Sequence, residues 1–595
     1  MKEVSTTMTI AFHACPTDEV KSKITLLEAL ASCRGTFVGI GLFSVVINVL
    51  MLTGSLFMLE VYDRVLPSRS VSTLTGLVTL TVLLFFSQGM LDVTRGRLLV
   101  RVANNFDYKV APVVYGLIVR MPLRAQQGGD AQQAVRHLET IRSFIASSGP
   151  TVLFDLPWLP FYIAICFAFH VWIGITALAG ALLLVALTLL AELLSRQPVR
   201  SAANLAAARG KLAETSRRNA EVLVAMGMSD RMRERWLAIG DQHARQIRRA
   251  NDVSAGLSAL GRMFRVMLQS AVLGVGAYLV IQQEATAGII IAGSILAGRA
   301  LAPVDLAIAN WKGFVAARQS WQRLSQLTTA MPATAAGLAL PAPTRSLTVA
   351  GLTLAPPGTQ KLVVQDVNFS IMAGSALGII GPSASGKSSL VRCLVGAWRQ
   401  TRGFVRLDGA ALEQWAMSAL GQHIGYLPQS VELIEGSIAE NIARFNPETQ
   451  LEAVIAAAKA AGVHELILGL PDGYETQIGE QGMALSAGQQ QRIALARALY
   501  GNPFLVVLDE PNSNLDGEGE EALTSAIFGV RSRGGIVVVV AHRPSALVAV
   551  DHLLVLLRGQ QQGFGPKNEI LSRFVRQSPS PGPLKLAPQI RGVTP

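Results

Sequence analysis

Long apolar runs alternate with long polar stretches in the first half of the chain, and short apolar runs of strand length fill much of the second. Residues 37–58 (Phe37 to Met58) are nearly all apolar, and residues 72–91 form a second such run. Residues 151–193 hold two more with almost no loop between them, turning near His170 to Gly174, and 264–283 and 286–308 are a last pair joined near Glu284. Runs of about 20 apolar residues suffice to cross ~30 Å of hydrocarbon, so the pattern predicts six membrane spans. The first two are joined by Glu60-Val61-Tyr62-Asp63-Arg64-Val65-Leu66-Pro67-Ser68-Arg69, which reads as a short polar turn. The stretches Asp92–Gly149 and Arg196–Arg262 are long and basic, the first carrying Arg95, Arg97, Arg101, Lys109, Arg120, Arg124, Arg136 and Arg142.

This asymmetry gives an orientation. Lys/Arg-rich connections stay on the cytoplasmic side, so both long stretches and both termini are expected there. The expected organisation is a short N-terminal segment (1–35), then an all-α six-span transmembrane domain (36–327) with long helical extensions. An Ala/Pro/Thr-rich linker (328–345), an α/β domain (346–573) and a Pro-rich tail (574–595) follow. Two ionisable residues fall in or beside the spans, Asp155 and Arg299, and such residues are functional candidates by default. Pro157, Pro160 and Pro303 are candidate kinks.

Composition supports a membrane protein with a soluble part. Half of the 595 residues are hydrophobic and 15% are charged, against roughly 25% in soluble domains. The net charge of +12 could suggest nucleic acid, but the excess lies largely in loops beside the apolar spans and no nucleic-acid motif accompanies it. The lipid bilayer is therefore the expected partner. Cys15, Cys33, Cys166 and Cys393 are scattered without metal or disulfide spacing. No cleavable signal peptide is evident, and an uncleaved first span is the simpler reading.

The chemistry lies in the second half. Gly381-Pro382-Ser383-Ala384-Ser385-Gly386-Lys387-Ser388 fits G-x-x-x-x-G-K-[ST]. The apolar run Ala376–Ile380 before it reads as a buried strand, and Ser389-Leu390-Val391 after it as a helix start. In that setting the loop's N–H groups cradle phosphate. Lys387 reaches the β- and γ-phosphates, and the Ser388 hydroxyl can ligate Mg²⁺. The alternative, a chance Gly/Ser-rich turn, does not explain the companion motifs downstream. Phe504–Asp509 is a strand ending in Asp509 and Glu510, which suit Mg²⁺ coordination and polarisation of the attacking water. Gln429, after Tyr426-Leu427-Pro428, could reach Mg²⁺ and that water. Leu485-Ser486-Ala487-Gly488-Gln489 opens a helix and makes an anion site at its N-terminus. Ile536–Val540 is a strand leading to Ala541-His542, where a histidine can contact the γ-phosphate.

Taken in this order, the loop, Gln429, LSAGQ, Asp509-Glu510, Ser513-Asn514-Leu515-Asp516 and His542 resemble the nucleotide-binding domain of ABC transporters. Ile478-Gly479-Glu480-Gln481-Gly482 is similar to the cross-linking loop of exporters. Phe57–Ser70, Asn310–Arg318 and Leu508–Asp516 resemble the type I secretion ATPases of the PrtD kind, over nearly the whole chain after residue 25. The resemblance implies a homodimer with composite sites: Gly381–Ser389 of one subunit, and Ser486, Gly488 and Gln489 of the other, would hold ATP and Mg²⁺. Glu510, His542 and Gln429 would be catalytic, and Ser388, Gln429 and Asp509 would hold the metal. It also implies an inner-membrane location, a periplasmic membrane-fusion protein, an outer-membrane channel and a secreted protein substrate with a C-terminal signal. Two positions depart from the family pattern within the motifs: Ala487 replaces the second Gly of LSGGQ, and Ala384 a Gly of the loop. Pro356 or Pro357 stands where an aromatic residue often stacks on adenine. The short N-terminus leaves no room for a peptidase-like domain, which disfavours leader-peptide cleavage. Two competing functions share these features: an exporter of lipids or small hydrophobic molecules, and a membrane regulator that binds ATP without hydrolysing it. Lys387, Asp509, Glu510 and His542 together disfavour the second.

Overall fold

A computed structural model describes residues 26–123, 129–330, 338, 340–479, 485–541 and 544–575. The chain divides into two compact units, a helical one essentially up to Ala333 and a sheet-based one from Thr334.

The helical unit begins with α1 (Leu26–Ala31), α2 (Arg34–Leu50) and α3 (Thr53–Glu60), followed by a π-helical turn at Val61–Val65 and α4 (Leu66–Ser68). Next come α5 (Val71–Arg120), α6 (Gly129–Ala146), α7 (Gly149–Asp155) and α8 (Leu159–Phe169). The remaining helices are α9 (Val171–Arg218), α10 (Ala220–Ala225), α11 (Ser229–Ile281) and α12 (Ala287–Ala330). Among the described residues, six helical segments are long and apolar enough to cross a membrane. At 1.5 Å per residue α5 is about 75 Å long, more than twice the hydrocarbon thickness. Its polar half thus continues as helix beyond the apolar half.

The segment read as a polar turn, Glu60–Arg69, is helical instead. Nothing between Glu60 and Leu66 breaks a helix, and Glu60 and Arg64 pair one turn apart at 3.7 Å. The chain reverses only at Arg69, whose φ is 50°, and the Ser70 side chain then caps α5 by accepting from Thr73 N. The residue inserted by the π turn re-aims Asp63. Its carboxylate accepts hydrogen bonds from Thr286 Oγ1 at 2.7 Å and Gly288 N at 2.9 Å, at the start of α12. Of the candidate kink residues, Pro157 lies in a 3₁₀ turn between α7 and α8, and Pro160 in the first turn of α8, where its missing N–H is harmless. Pro303 is inside α12.

A second departure concerns Arg95, which the sequence groups with the basic residues of a loop. It is only 6% exposed, and Asp155 is 5% exposed. Arg95 donates to both Asp155 oxygens at 3.0 and 3.1 Å, and to Ser44 Oγ at 3.1 Å. Asn48 Nδ2 donates to Asp155 at 2.9 Å, and the fully buried Tyr162 hydroxyl donates to Asn48. One polar knot thus joins α2, α5, α7 and α8. Arg299 is half-buried in α12.

The sheet unit is organised by ten strands in the order β5-β4-β1-β2-β12-β11-β3-β10-β9-β6. These are β1 (Ser346–Leu354), β2 (Val364–Met372), β3 (Ala376–Ile380), β4 (Arg402–Leu407), β5 (Ala410–Ala411), β6 (Ile424–Leu427), β9 (Leu505–Asp509), β10 (Ile536–Val540), β11 (His552–Leu557) and β12 (Gln560–Pro566). β7 (Gly436–Ser437) and β8 (Gln477–Ile478) pair separately. The order β11-β3-β10-β9-β6 is parallel throughout, and β9 and β10 are buried at every position. Both faces of such strands are covered, which is why they read as unbroken apolar runs. β1, β2 and β4 form an antiparallel flank. Helix α13 (Lys387–Leu394) follows β3. α14 (Met417–His423) leads into β6, and a helical lobe follows it: α15 (Ile438–Ile442), α16 (Leu451–Ala460), α17 (His464–Leu468) and α18 (Ala487–Leu499). α19 (Gly517–Ser532) precedes β10, and α20 (Lys567–Val575) ends the described chain.

Candidate functional site

Ligand sites in parallel α/β sheets lie outside the carboxyl ends of the strands, and the register of this sheet gathers the candidate residues there. Val540 pairs with Ile379 on one side and Asp509 on the other. Leu427 pairs with Leu508. The loop after β3, the carboxylates ending β9 and the Gln429 segment after β6 therefore meet along one edge.

The loop's glycines are required by close backbone approach. A Cβ on Gly381, whose φ is +155°, would sit 2.1 Å from Leu556 O; one on Gly386, φ +95°, would sit 2.7 Å from Val363 O. Ala384 also has a positive φ, 62°. Its departure from the family glycine therefore costs local strain of order 1 kcal/mol, yet the fold holds it. Pro382 and Ser383 are exposed at the rim, and Ser389 continues α13, half-buried.

Lys387 is 5% exposed and donates to Gly381 O and Pro382 O, both at 2.9 Å. Burial holds its ammonium below the ordinary lysine range, against the opposing pull of Glu510 and Asp509. Ser388 Oγ donates to Asp509 Oδ1 at 3.3 Å. Asp509 is 1% exposed, and burial pushes its carboxyl above the usual range. Asp509 Oδ2 and Ser385 Oγ are buried without a hydrogen-bond partner. A dry carboxylate oxygen and a loop hydroxyl left unsatisfied are costly unless a ligand meets them. They fit a cation beside an anion held by the loop. Gln429 Nε2 donates to Glu510 Oε2 at 3.0 Å. Glu510 has φ 52°, a strained backbone of the kind found at functional positions.

The LSAGQ stretch forms a second structured helix start. Ser486 caps α18 by accepting from Gln489 N at 3.3 Å, and Gln489 Oε1 returns by accepting from Ser486 N at 2.9 Å, a reciprocal capping box. The hydrogen bonds of Ser486 and Gln489 thus close within their own helix start. A Cβ on Gly488 would sit 2.9 Å from Asn514 O, so glycine is needed where this helix passes the turn after β9. Sequence reasoning missed what fastens the two together. Buried Gln491 donates to Pro511 O and accepts from Asn514 N. Buried Arg492 pairs with Asp516, which itself caps α19 through Gly519 N at 2.9 Å. The signal lay in two polar residues on the otherwise apolar face of α18.

Pro356 closes a turn by accepting from Thr359 N at 3.0 Å. With Pro357 it lines a groove shared with Trp398 and Tyr426. These two aromatic residues come to the prolines from distant sequence. His542 and Glu480–Gly482 lie outside the described residues.

A helical unit of six apolar segments followed by this sheet and this edge defines an ABC exporter. Family models agree: the ABC transporter transmembrane region matches residues 37–302 and the ABC transporter domain residues 364–513. The likeness to the structure of a bacterial Atm1-family ABC exporter with ATP bound has a TM-score of 0.78. It covers 93% of this chain and 100% of that one at 21% identity, and establishes the fold. The chain belongs to the type I secretion ATP-binding proteins. It is 56% identical over 548 residues to the type I secretion system ATP-binding protein PrsD of Rhizobium meliloti (strain 1021), covering 92% of this chain and 94% of the relative. It is 29% identical to the alpha-hemolysin translocation ATP-binding protein HlyB of Escherichia coli, covering 92% of this chain and 78% of that protein. To the cyclolysin secretion/processing ATP-binding protein CyaB of Bordetella pertussis it is 28% identical, covering 92% and 77%. It is thus an ATP-binding, ATP-hydrolysing, multi-pass inner-membrane exporter.

Proposed function

We propose that this chain works as a homodimer that drives unfolded proteins with C-terminal signals across the inner membrane. Its nucleotide-binding domain and both termini are cytoplasmic. A periplasmic membrane-fusion protein and an outer-membrane channel complete the conduit. The boundaries 36–327 and 346–573 delimit its transmembrane and ATPase domains.

The observation that carries the site reading is the unsatisfied Asp509 Oδ2 beside the Ser388–Asp509 hydrogen bond, next to the Gln429–Glu510 pair. Residues 381–389 wrap the phosphates, all but Pro382 offering a backbone N–H. Lys387 leaves its two loop carbonyls to meet the β- and γ-phosphates. Ser388, Asp509 and Gln429 hold Mg²⁺, which when bound offsets phosphate charge. Glu510 takes the proton of the attacking water, oriented by Gln429, and His542 contacts the γ-phosphate. Ser486, Gly488 and Gln489 of the second subunit close the site, the amide end of α18 facing anionic oxygens. Pro356 borders the base, which makes base selectivity weak.

Comparing the secreted proteins of a deletion strain with those of its parent tests the reading. The expected result is loss of one or a few secreted proteins. An intact secreted proteome with altered lipid or drug efflux would replace protein export by the small-molecule reading.

A further inference from the structure

The helical unit carries a polar stripe that the ATPase chemistry does not use. Along α11, Asn251, Ser254, Ser258, Arg262, Arg265 and Gln269 recur at intervals of three or four, which places them on one face. Asn251, Arg262 and Gln269 are exposed, and Ser254, Ser258 and Arg265 half-buried. The opposite face is apolar and also exposed: Leu260, Met263 and Met267 are 42%, 49% and 55% exposed.

The stripe enters the depth of the bilayer. At 1.5 Å per residue Arg265 lies about 24 Å from the Ile281 end of α11, within the ~30 Å hydrocarbon thickness. Arg265 pairs with Asp305 of α12, which is about 27 Å from the Ala287 end of its helix. This pair is not sealed in the core, since its side chains remain 40% and 34% exposed. Lys312 continues the line with a long contact to Asn251 at 3.5 Å. Among the described residues no acid lies in ion-pair range of Arg262. Charged and amide groups at this depth are costly against lipid and are tolerated where they face water or a polar ligand. The apolar face suits lipid; the polar face does not.

We propose that this face of α11, with Asp305 and Lys312 of α12, lines the water-filled path of the exported chain. Arg262 takes acidic side chains of the passing polypeptide. The amides and hydroxyls of Asn251, Ser254, Ser258 and Gln269 match the donors and acceptors of an unfolded backbone, which needs no side-chain sequence. This rests on the protein-export reading above and assigns the surface on which export occurs.

The test uses the full-length protein in inner-membrane vesicles, with native cysteines replaced and single cysteines introduced by Ser258→Cys, Gln269→Cys, Met263→Cys and Met267→Cys. A charged, membrane-impermeant thiol reagent should modify Gln269→Cys, about 18 Å from the Ile281 end, at least about tenfold faster than Met263→Cys and Met267→Cys, and about as fast as Ser258→Cys, which lies about 34 Å from that end, outside the hydrocarbon. Modification of Gln269→Cys as slow as that of Met263→Cys and Met267→Cys would overturn the proposal by placing the stripe against lipid. Spontaneous Ser258→Cys disulfides between copies, with Gln269→Cys unreactive, would overturn it in favour of an interface between subunits. In cells, Arg262→Glu should lower secretion at least about fivefold, and Arg262→Lys should retain most of it, because like charge repels acidic segments. If deleting the whole chain abolishes secretion but Arg262→Glu leaves it intact, the stripe assignment falls while the export reading stands. If deletion itself leaves secretion intact, the export reading falls with the assigned cargo.

Discussion

The two units place charge in opposite settings. In the sheet unit the core strands β9 and β10 are buried throughout, and ionisable groups gather where strands end, with Asp509 Oδ2 left unsatisfied. In the helical unit Arg95, inside α5, and Asp155, at the end of α7, are both buried and answer each other directly, with Asp92, Ser44, Asn48 and Tyr162 completing the set. A buried charge left open at a strand end is prepared for a ligand; a buried charge closed on its neighbours is architecture. The Arg95 side of the knot keeps only one loose thread, Nε, which has no partner.

The largest expected effect lies on the open side. Glu510→Gln keeps the shape of the residue paired to Gln429 and removes only its ability to accept a proton. Turnover of ATP by the purified full-length protein should fall ~10²–10⁴-fold, with ATP binding retained. Unchanged turnover would remove Glu510 from the role of base. The open setting would then lose its clearest example.

The closed side is tested next. Asp155→Ala leaves the buried guanidinium with only the exposed Asp92 carboxylate, which it already meets at 2.8 Å, and breaking a buried pair costs up to about 3–5 kcal/mol. The full-length protein should lose most of its yield or unfold at much lower temperature. Replacing both partners by apolar residues of similar volume, Arg95→Met with Asp155→Leu, should recover most of that loss. A double variant as unstable as the single one would mean that the charge itself is needed, and the architectural reading would fail.

These settings also explain how far the sequence could be read. The strand-end site was legible because its chemistry is local: G-x-x-x-x-G-K-S and the β9 carboxylates occupy short windows whose spacing implies their geometry. The six spans were legible because the bilayer fixes the length of apolar runs. What escaped were pairings across long separations. Arg95 reads as one more basic residue of a polar stretch, since nothing within ten residues reveals that Asp155 waits for it. The Glu60–Arg69 stretch reads as a turn because it is polar, yet it holds no helix breaker before Pro67. Gln491 and Arg492 were seen only as helix residues, because their partners Pro511 and Asp516 lie beyond the strand that separates them. Trp398 and Tyr426 likewise reach the Pro356 groove from sequence far from it.

A smaller effect is expected at Ser486, where an architectural cap and a proposed ligand contact coincide. Ser486→Ala removes the acceptor for Gln489 N and should lower stability by about 1 kcal/mol, the usual worth of such a cap. Turnover should fall further than this loss of folded protein accounts for. Ser486→Thr, which keeps the hydroxyl, should restore both. If turnover merely follows stability, Ser486 belongs with the architectural charges and polar groups rather than with the site.

The smallest effect probes an exception to the contrast, a carboxylate in the sheet unit that serves only the fold. Asp408 is exposed and accepts from Thr344 N at 2.7 Å and from Arg345 N and Ser346 N at 2.8 Å, pinning the chain as it enters β1. Partial burial raises its pKa, but the three backbone N–H groups and the Arg345 charge together outweigh it, and the net shift is downward. A carboxyl whose folded pKa is depressed stabilises the fold fully above its unfolded value, near 3.9. That contribution is lost as pH falls through the folded pKa. Its φ of 50° is a conformation that Asn also adopts readily, so Asp408→Asn changes the charge and little else. At pH 6 the variant should be less stable by no more than about 1 kcal/mol, since water screens an exposed group. The gap should narrow as pH drops below 4, read from urea midpoints of the full chain in detergent. A gap that holds constant with pH would show that the hydrogen bonds act without the charge. An exposed carboxylate in this unit would then contribute to the fold as a neutral cap does, through geometry alone.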